Sequence, residues 1–296
     1  MKVEKILTEQ IKAGVIGLGA MGGPMARHLA NIGVLSMVWN RTTARSLALA
    51  DELGVVSVDE PVQLAAGCNV ILICVSADQD VLDVLEQILP GVQPGCVVID
   101  TSTVSPATAR QLAERLHEVG AGFVDAPVSG GVEGAKKGTL SVMAGGDSAN
   151  ISRIMPVLEA ISATVTHMGP VGSGQATKAV NQVMIAGIAE AVCEALALGE
   201  KLNLPSERLL SVVGAGAAGS WFLGHRGQSM LENHFDVGFK LSLLLKDLLI
   251  CQTLAQDLDI SLPTVEAAIK DYSALVELGD GNHDISGLIR LKRGTE

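Results

Sequence analysis

The stretch GSGQATKAVNQVMIAGIAEAVCEALALGEKL, residues 172–202, decides how the chain is divided. Its apolar and small residues recur at helical spacing on more than one face, which predicts a long helix covered on several sides. We expect such a helix at the junction of two domains. Near its N-terminal end, Lys178, Asn181 and Gln182 project together from one side. The spacing indicates a polar site, the alternative being a solvated helix start.

A glycine-rich turn follows an apolar run near the start of the chain. Residues 13–18 (AGVIGL) predict a buried strand, and a helical pattern begins after the turn. The G-x-G-x-x-G spacing lets the first glycine turn tightly, the second admit a pyrophosphate and the third pack the helix against the strand. The alternative is a purely structural turn. The predicted dinucleotide-binding loop comprises Gly17, Leu18, Gly19, Ala20, Met21 and Gly22.

The next predicted strand, residues 34–39, ends without a carboxylate. It is followed by Asn40, Arg41 and Thr42, with Arg45 one helical turn further on. An acidic residue at this position usually binds the ribose 2′-hydroxyl of NAD, whereas an arginine accommodates the 2′-phosphate of NADP. The sequence therefore favours NADP(H) over NAD(H), unless the arginines only solvate a helix start.

Strands and helices continue to alternate, which predicts a doubly wound parallel sheet. Two further strands, residues 70–75 and 97–100, are each followed by a helical pattern. Ligands of such sheets bind beyond the carboxyl ends of the strands, so we expect Val75, Ser76 and Thr103 to line the cofactor site. Ordinary helix capping is the alternative role for these loops.

Residues 123–131 (FVDAPVSGG) predict a strand that runs into two glycines. The backbone N–H groups of Ser129, Gly130 and Gly131 offer a small anion nest suited to a substrate carboxylate. A glycine loop that closes a hairpin with residues 140–145 is an equally acceptable interpretation.

Beyond residue 202 the strands stop and helical patterns joined by loops follow. We therefore predict two domains, residues 1–171 and residues 172–296, the second wholly helical. One of its helices is almost entirely apolar except for a few residues that include Lys246 and Asp247, so this pair is either a site or an ion pair to a neighbouring helix. Trp221 and Phe239 are among only seven aromatic residues (Trp 2, Tyr 1, Phe 4) and are candidates for a pocket wall.

Composition excludes several classes of function. A formal net charge of −11 disfavours nucleic acid as a partner. The five cysteines are scattered, with no CxxC pair or Cys/His spacing, which indicates free thiols in a reducing compartment and no metal site. No apolar run reaches about 18 residues and the N-terminal residues are charged, so we expect neither secretion nor a membrane span, and a cytoplasmic location.

Four motifs in order carry a resemblance that extends over nearly the whole chain. They are GLGAMG at residues 17–22, DAPVSGG at 125–131, GxGxxxKxxNQ at 172–182 and KDL at 246–248. Together they resemble the β-hydroxyacid dehydrogenases. The resemblance implies a Rossmann-type N-terminal domain, a long interdomain helix and an all-α C-terminal domain shared with a partner subunit, in a homodimer or homotetramer.

The resemblance also implies roles for individual residues. Lys178 is expected to be the catalytic lysine. Ser129, Gly130 and Gly131 are expected to bind the substrate carboxylate, and Asn181 or Gln182 to orient the substrate. Lys246 is expected to contact the cofactor, and Asp247 beside it to contact the substrate. The Asn40-Arg41-Thr42 segment looks like that of the NADP-using glyoxylate and succinic semialdehyde reductases.

The expected function is the reversible, NADPH-dependent reduction of a small carboxylate-bearing aldehyde to its hydroxy acid. Activity as a 3-hydroxyisobutyrate dehydrogenase or a tartronate semialdehyde reductase is the alternative within the family. Imine reductases have a similar scaffold but usually lack the lysine. A non-catalytic NADP-binding interaction module is a further alternative, and its expected signature is the loss of Lys178 or of the SGG loop, both of which are present.

Overall fold

The computed structural model describes residues 11–236 and 238–294. The chain forms two compact units, which divide between Lys178 and Ala179. The division falls inside a long helix, whereas the sequence predicts a domain boundary before that helix, at residues 171–172.

The first unit is built on one nine-stranded sheet. Six strands lie parallel in the order β3-β2-β1-β4-β5-β6, which is the strand order of the dinucleotide-binding fold. Beyond β6, β8 is antiparallel to it, and β7 and β9 both pair with β8. The strands are β1 Ala13–Ile16, β2 Leu35–Trp39, β3 Val56–Ser57, β4 Val70–Ile73, β5 Val97–Asp100, β6 Gly122–Asp125, β7 Val128–Ser129, β8 Leu140–Gly146 and β9 Ser162–Gly169.

Helices cover both faces of this sheet and bury its central strands. The residues of β1, β4 and β5 are all buried, because side chains that alternate between the two faces enter two separate apolar clusters. The doubly wound α/β prediction is confirmed. The helices are α1 Gly22–Asn31, α2 Thr43–Leu53, α3 Pro61–Gly67, α4 Asp78–Ile88, α5 Pro106–Glu118, α6 Gly131–Lys137 and α7 Ser148–Ile161.

The strand predicted to run into the two glycines at residues 130 and 131 is interrupted in the structure. β6 ends at Asp125, and after Ala126 and Pro127 only two residues form β7. Gly130 and Gly131 have φ of +127° and +63°, so the chain turns there and enters α6. β7 is antiparallel to β8, with Val128 opposite Val142, as the hairpin interpretation requires.

Within residues 179–236 and 238–294, the regular secondary structure of the second unit is helical, apart from one isolated bridge. Its helices surround a single apolar core that includes the fully buried Tyr272. The helix that enters it is long and apolar enough to span a membrane by length and composition, and half of its most apolar 18-residue window is buried. The helices are α8 Ser173–Lys201, α9 Ser206–Gly214, α10 Trp221–Leu231, α11 Leu241–Asp257, α12 Pro263–Glu277 and α13 Ile289–Lys292.

Candidate active site

Three glycines after β1 have three different environments. Gly17 has φ of +91°, and a Cβ there would collide with the carbonyl oxygen of Cys74. A Cβ on Gly22 would collide with the carbonyl oxygen of Gly17. A Cβ on Gly19 would meet no atom within 4 Å. These environments fit a tight turn, a close packing contact and an open approach for a pyrophosphate, the three roles of a dinucleotide-binding loop.

The start of α1 can bind an anion. Its N-cap residue, Met21, makes no side-chain cap, and the positive end of the helix dipole points towards the loop. The loop is tied to the end of β2, because Asn40 Oδ1 accepts a hydrogen bond of 2.8 Å from Leu18 N. These features fit the phosphates of a nicotinamide dinucleotide. A cleft of about 490 Å³ beside the loop is lined by residues that include Gly19, Ala20, Arg27, Arg45 and Lys136.

The two arginines after β2 have different surroundings. Arg45 lies on α2 and lines the cleft beside the glycine loop. Arg41 is exposed and donates to Asp80 Oδ1 at 3.0 Å. Asn40 also bonds the carbonyl oxygen of Thr42, which fixes the turn into α2. Basic and amide groups therefore stand where a carboxylate would bind a free ribose hydroxyl.

The loops after β4 and β5 are joined to each other. Ser102 Oγ accepts a hydrogen bond of 2.9 Å from Val75 N, and Ser102 N donates to Asp100 Oδ1 at 2.9 Å. Ser76 is exposed and Thr103 is half-buried. These loops lie at the carboxyl ends of neighbouring parallel strands, next to the point where the strand order reverses between β1 and β4.

Lys178 is held by the segment that carries the SGG residues. Its side chain is buried, with a relative exposure of 8%, and Nζ donates a hydrogen bond of 2.9 Å to the carbonyl oxygen of Val128. Val128 immediately precedes Ser129, Gly130 and Gly131. The first unit thus brings the predicted lysine to the predicted carboxylate-binding loop, and a solvated helix start does not describe it.

Asn181 and Gln182, the two amides of the predicted polar cluster, belong to the second unit and form a hydrogen-bonded chain. Asn181 Nδ2 donates to Gln182 Oε1 at 2.8 Å, and Gln182 Nε2 donates to Asp247 Oδ2 at 2.7 Å. Asp247 also pairs with Lys246 at 2.9 Å. Gln182 and Asp247 are buried, whereas Asn181 and Lys246 are partly exposed. The Lys246 and Asp247 pair is therefore an ion pair within α11 that also bonds α8.

Trp221 and Phe239 are both linked to Asp284, an aspartate of the second unit that the sequence alone did not identify: Phe239 directly, and Trp221 through Arg226. Trp221 is half-exposed, and the guanidinium of Arg226 lies 5.3 Å from its ring centroid. Arg226 pairs with Asp284 at 3.4 Å, and Asp284 Oδ2 also accepts from Phe239 N at 2.9 Å. The ring of His225 stacks on that of Trp221, with 4.2 Å between centroids.

Two family models match the two parts of the chain. Residues 12–169 match the NAD binding domain of 6-phosphogluconate dehydrogenase, and residues 172–292 match the NAD-binding domain of NADP-dependent 3-hydroxyisobutyrate dehydrogenase. The chain belongs to the β-hydroxyacid dehydrogenase family. The glycine loop, the SGG segment and Lys178 described above are this dehydrogenase's copies of the motifs that carried the resemblance.

Individual relatives support the assignment of this chain to the β-hydroxyacid dehydrogenases. It is 35% identical to 2-hydroxy-3-oxopropionate reductase of Escherichia coli over 291 residues, which cover 95% of this chain and 96% of that one. The structure of Mycobacterium tuberculosis 3-hydroxyisobutyrate dehydrogenase with L-serine superposes with a TM-score of 0.86, at 28% identity, over 96% of this chain and 99% of that one. Psf3 in complex with NADP+ and 2-OPP gives 0.87, at 26% identity, over 94% and 99%. The protein is accordingly an NAD(P)-dependent oxidoreductase of the hydroxyacid dehydrogenase type.

Proposed function

We propose that this dehydrogenase uses NADPH to reduce a small carboxylate-bearing aldehyde, such as glyoxylate or succinic semialdehyde, to its hydroxy acid, and that the reaction is reversible. The observation that carries the proposal is the hydrogen bond from Lys178 Nζ to the carbonyl oxygen of Val128. It keeps a cation beside Ser129, Gly130 and Gly131, the residues proposed to bind the substrate carboxylate. One loop would therefore hold the substrate next to its proton donor.

Lys178 has two tasks in this proposal. Bound NADPH supplies the hydride to the aldehyde carbon. Negative charge grows on the carbonyl oxygen as the C=O bond becomes single, and the Lys178 ammonium stabilises that charge by a hydrogen bond. The same ammonium then gives its proton to the oxygen, which completes the alcohol. In the oxidation direction the neutral amine takes the hydroxyl proton. Asn181 and Gln182 are the amides proposed to orient the substrate.

The preference for NADPH rests on the end of β2. Asn40, Arg41 and Thr42 follow this strand, and Arg45 borders the cleft beside the glycine loop. A guanidinium favours the 2′-phosphate of NADP, whereas the free ribose hydroxyl of NAD is usually bound by a carboxylate. The complex of Psf3 with NADP+ shows that a related structure binds this cofactor.

The experiment that tests the proposal is a screen of aldehydes with both cofactors. Glyoxylate, succinic semialdehyde, tartronate semialdehyde and methylmalonate semialdehyde are each offered with NADPH and with NADH, and kcat/KM is measured from the loss of absorbance at the nicotinamide wavelength. We expect turnover of at least one aldehyde, with NADPH preferred. A larger kcat/KM with NADH would contradict the cofactor assignment. Turnover of tartronate or methylmalonate semialdehyde alone would favour the alternative activities of the family.

If the protein binds NADPH but turns over none of the four aldehydes, the non-catalytic binding module would be the better description. Binding is measured separately, by the change in NADPH fluorescence on titration with protein. The Escherichia coli relative named 2-hydroxy-3-oxopropionate reductase is the control for the assay.

We also propose that the helical unit mediates self-association in the cytoplasm. Four large apolar side chains, each more than half exposed, are separated by about whole numbers of helical turns and so lie on one side: Val180, Met184 and Leu198 on α8, and Leu202 directly after it. A solvent-exposed apolar stripe of this length is typical of an interface. None of the five cysteines, all within the described residues, forms a disulfide bond, which suits a reducing compartment.

Light scattering after size-exclusion chromatography tests this association. We expect a mass of two or four times 30.6 kDa. The double variant Met184→Glu with Leu198→Glu should shift the protein towards the monomer, because it places charges in the apolar stripe. Leu47→Glu, at an exposed leucine of the first unit, is the matched control and should leave the mass unchanged. A wild-type monomer would refute the proposal.

A further inference from the structure

Helix α8 begins without a capping side chain of its own. The residue before it is Gly172, which has φ of +91° and no side chain to accept the N–H groups of the first turn. The cap comes from β6 instead. Asp125 Oδ1 accepts from Gly172 N at 2.8 Å, and Asp125 Oδ2 accepts from Gln175 N at 2.9 Å. One carboxylate therefore occupies the place of an N-cap, from 47 residues earlier in the chain.

The carboxylate is tightly enclosed. Asp125 is fully buried, and a Cβ on Gly145 would lie 2.5 Å from its Oδ1. A Cβ on Gly174, in the first turn of α8, would lie 2.7 Å from the backbone oxygen of Asp125. Both positions admit only glycine at this separation, so the start of α8, the end of β6 and β8 pack closely around the carboxylate. The first turn of α8 has little room to move relative to the sheet.

The same turn is fixed on a second side by Gln175. Its Nε2 donates to the carbonyl oxygen of Ser102 at 2.8 Å, and its Oε1 accepts from Val104 N at 3.2 Å. Lys178 follows Gln175 by three residues, which is about one helical turn. The direction of the Lys178 side chain is therefore set by a turn whose backbone is bonded to Asp125 and whose side chain is bonded to the loop after β5.

Asp125 and the partner of the lysine belong to one segment. Val128, whose carbonyl oxygen accepts from Lys178 Nζ, stands three residues after Asp125. We propose that Asp125 is a positioning residue, which caps α8 and thereby holds the Lys178 ammonium at the SGG loop. This role rests on the proposed function of Lys178. Asp125 itself touches neither substrate nor cofactor in this account.

The ionisation of Asp125 gives the proposal a pH dependence. Burial raises its pKa to about 6, against the lowering effect of the N–H groups of Gly172 and Gln175. The charged residues placed next to it are Asp100, its register neighbour on β5, Arg110 of α5, which lies against Gly172, and Lys178, one helical turn beyond Gln175, while β8 contributes Gly145. Above pH 6 the cap is a carboxylate. As the pH falls through 6 it becomes a neutral acid, which binds the helix N–H groups less strongly.

The variant Asp125→Asn tests the role, with Asp147→Asn as the matched control. Asp147 is the N-cap of α7, where Oδ1 accepts from Ala149 N at 2.8 Å. We expect Asp125→Asn to lower kcat about 10- to 100-fold, because a small misplacement of a reacting group has that effect. The Kd for NADPH should not change. Asp147→Asn should keep kcat and lose little thermal stability, because asparagine caps an exposed helix start about as well as aspartate.

The pH profile separates positioning from general stability. Wild-type kcat should fall on the acid side near pH 6, and this limb should be absent from the profile of Asp125→Asn. Equal kcat values for the two variants, or an unchanged acid limb, would overturn the proposal. Should Asp125→Asn fail to fold, Gln175→Ala removes the other support of the same turn and is expected to lower kcat in the same way.

A measurement without turnover keeps the proposal distinct from the proposed function. Acetic anhydride labels lysines in the full-length protein, and peptide mass spectrometry gives the rate at Lys178 relative to Lys201, at the far end of the same helix. We expect this ratio to rise several-fold in Asp125→Asn and to stay constant in Asp147→Asn. An unchanged ratio would refute the cap. Full activity of a Lys178→Ala variant would refute the catalytic role instead, whatever the labelling shows.

Discussion

Replacing Lys178 with alanine is expected to lower kcat about 10³- to 10⁴-fold, because proton transfer and stabilisation of the growing oxyanion are lost together. The loss should appear in kcat more than in the binding of NADPH, since the glycine loop that fits the cofactor phosphates is formed by residues 17–22. The substitution removes the whole buried ammonium group that donates to Val128 O, so no unpaired charge is left inside the protein, and we expect the variant to fold. Steady-state kinetics and NADPH fluorescence titration measure the two effects.

Lys201→Ala is the control for that experiment. Lys201 is exposed and ends the same helix, so its replacement tests the loss of a lysine from α8 without altering the first turn. We expect its kcat to equal that of the wild type. A Lys178→Ala enzyme with near-normal kcat would remove the proton donor from the mechanism, and the search for the donor would move to other residues.

Two glycine variants of the same loop should have different defects: one in NADPH binding and the other in stability. Gly19→Ala should fold normally, because its Cβ meets nothing within 4 Å, but it fills the open approach to the loop. We expect the Kd for NADPH to rise about ten- to a hundredfold, or about 1.4 to 2.8 kcal/mol. Gly22→Ala should instead lower the free energy of unfolding by about 1–3 kcal/mol, because its Cβ meets the carbonyl oxygen of Gly17.

Thermal unfolding with and without NADPH distinguishes the two variants. The Tm of Gly19→Ala without cofactor should match that of the wild type, while the rise in Tm on adding NADPH should be much smaller. Gly22→Ala should have a lower Tm before any cofactor is added. A Gly19→Ala protein that binds NADPH normally would mean that the pyrophosphate does not pass over this residue.

Much of the first unit could be predicted because its signals are local. The apolar runs of β1, β4 and β5 and the helices after them follow from periodicity, and the glycine spacing marks the turn between β1 and α1. The predicted ends were less accurate. The run at residues 13–18 suggested a longer strand, but the strand ends at Ile16 because Gly17 already has a positive φ.

The parts that were missed depend on contacts between distant residues. Helix α6 has only seven residues and two of them are glycine, so its local propensity is low. The roles of Asp125 and Gln175 depend on the pairing of a strand end with a helix start 47 residues away. One sequence signal was available: a predicted helix preceded by Gly172 has no side chain for its cap, so another residue must supply it.

The capping of α8 by Asp125, a residue of β6, also has a consequence for folding. A helix whose first turn is closed by its own side chain can begin from local sequence, but this turn needs Asp125, which is in place only after β6 has joined β5. We therefore expect this end of α8 to form only after long-range chain closure. We expect the proposed catalytic lysine, in turn, to become ordered only in molecules whose sheet is complete.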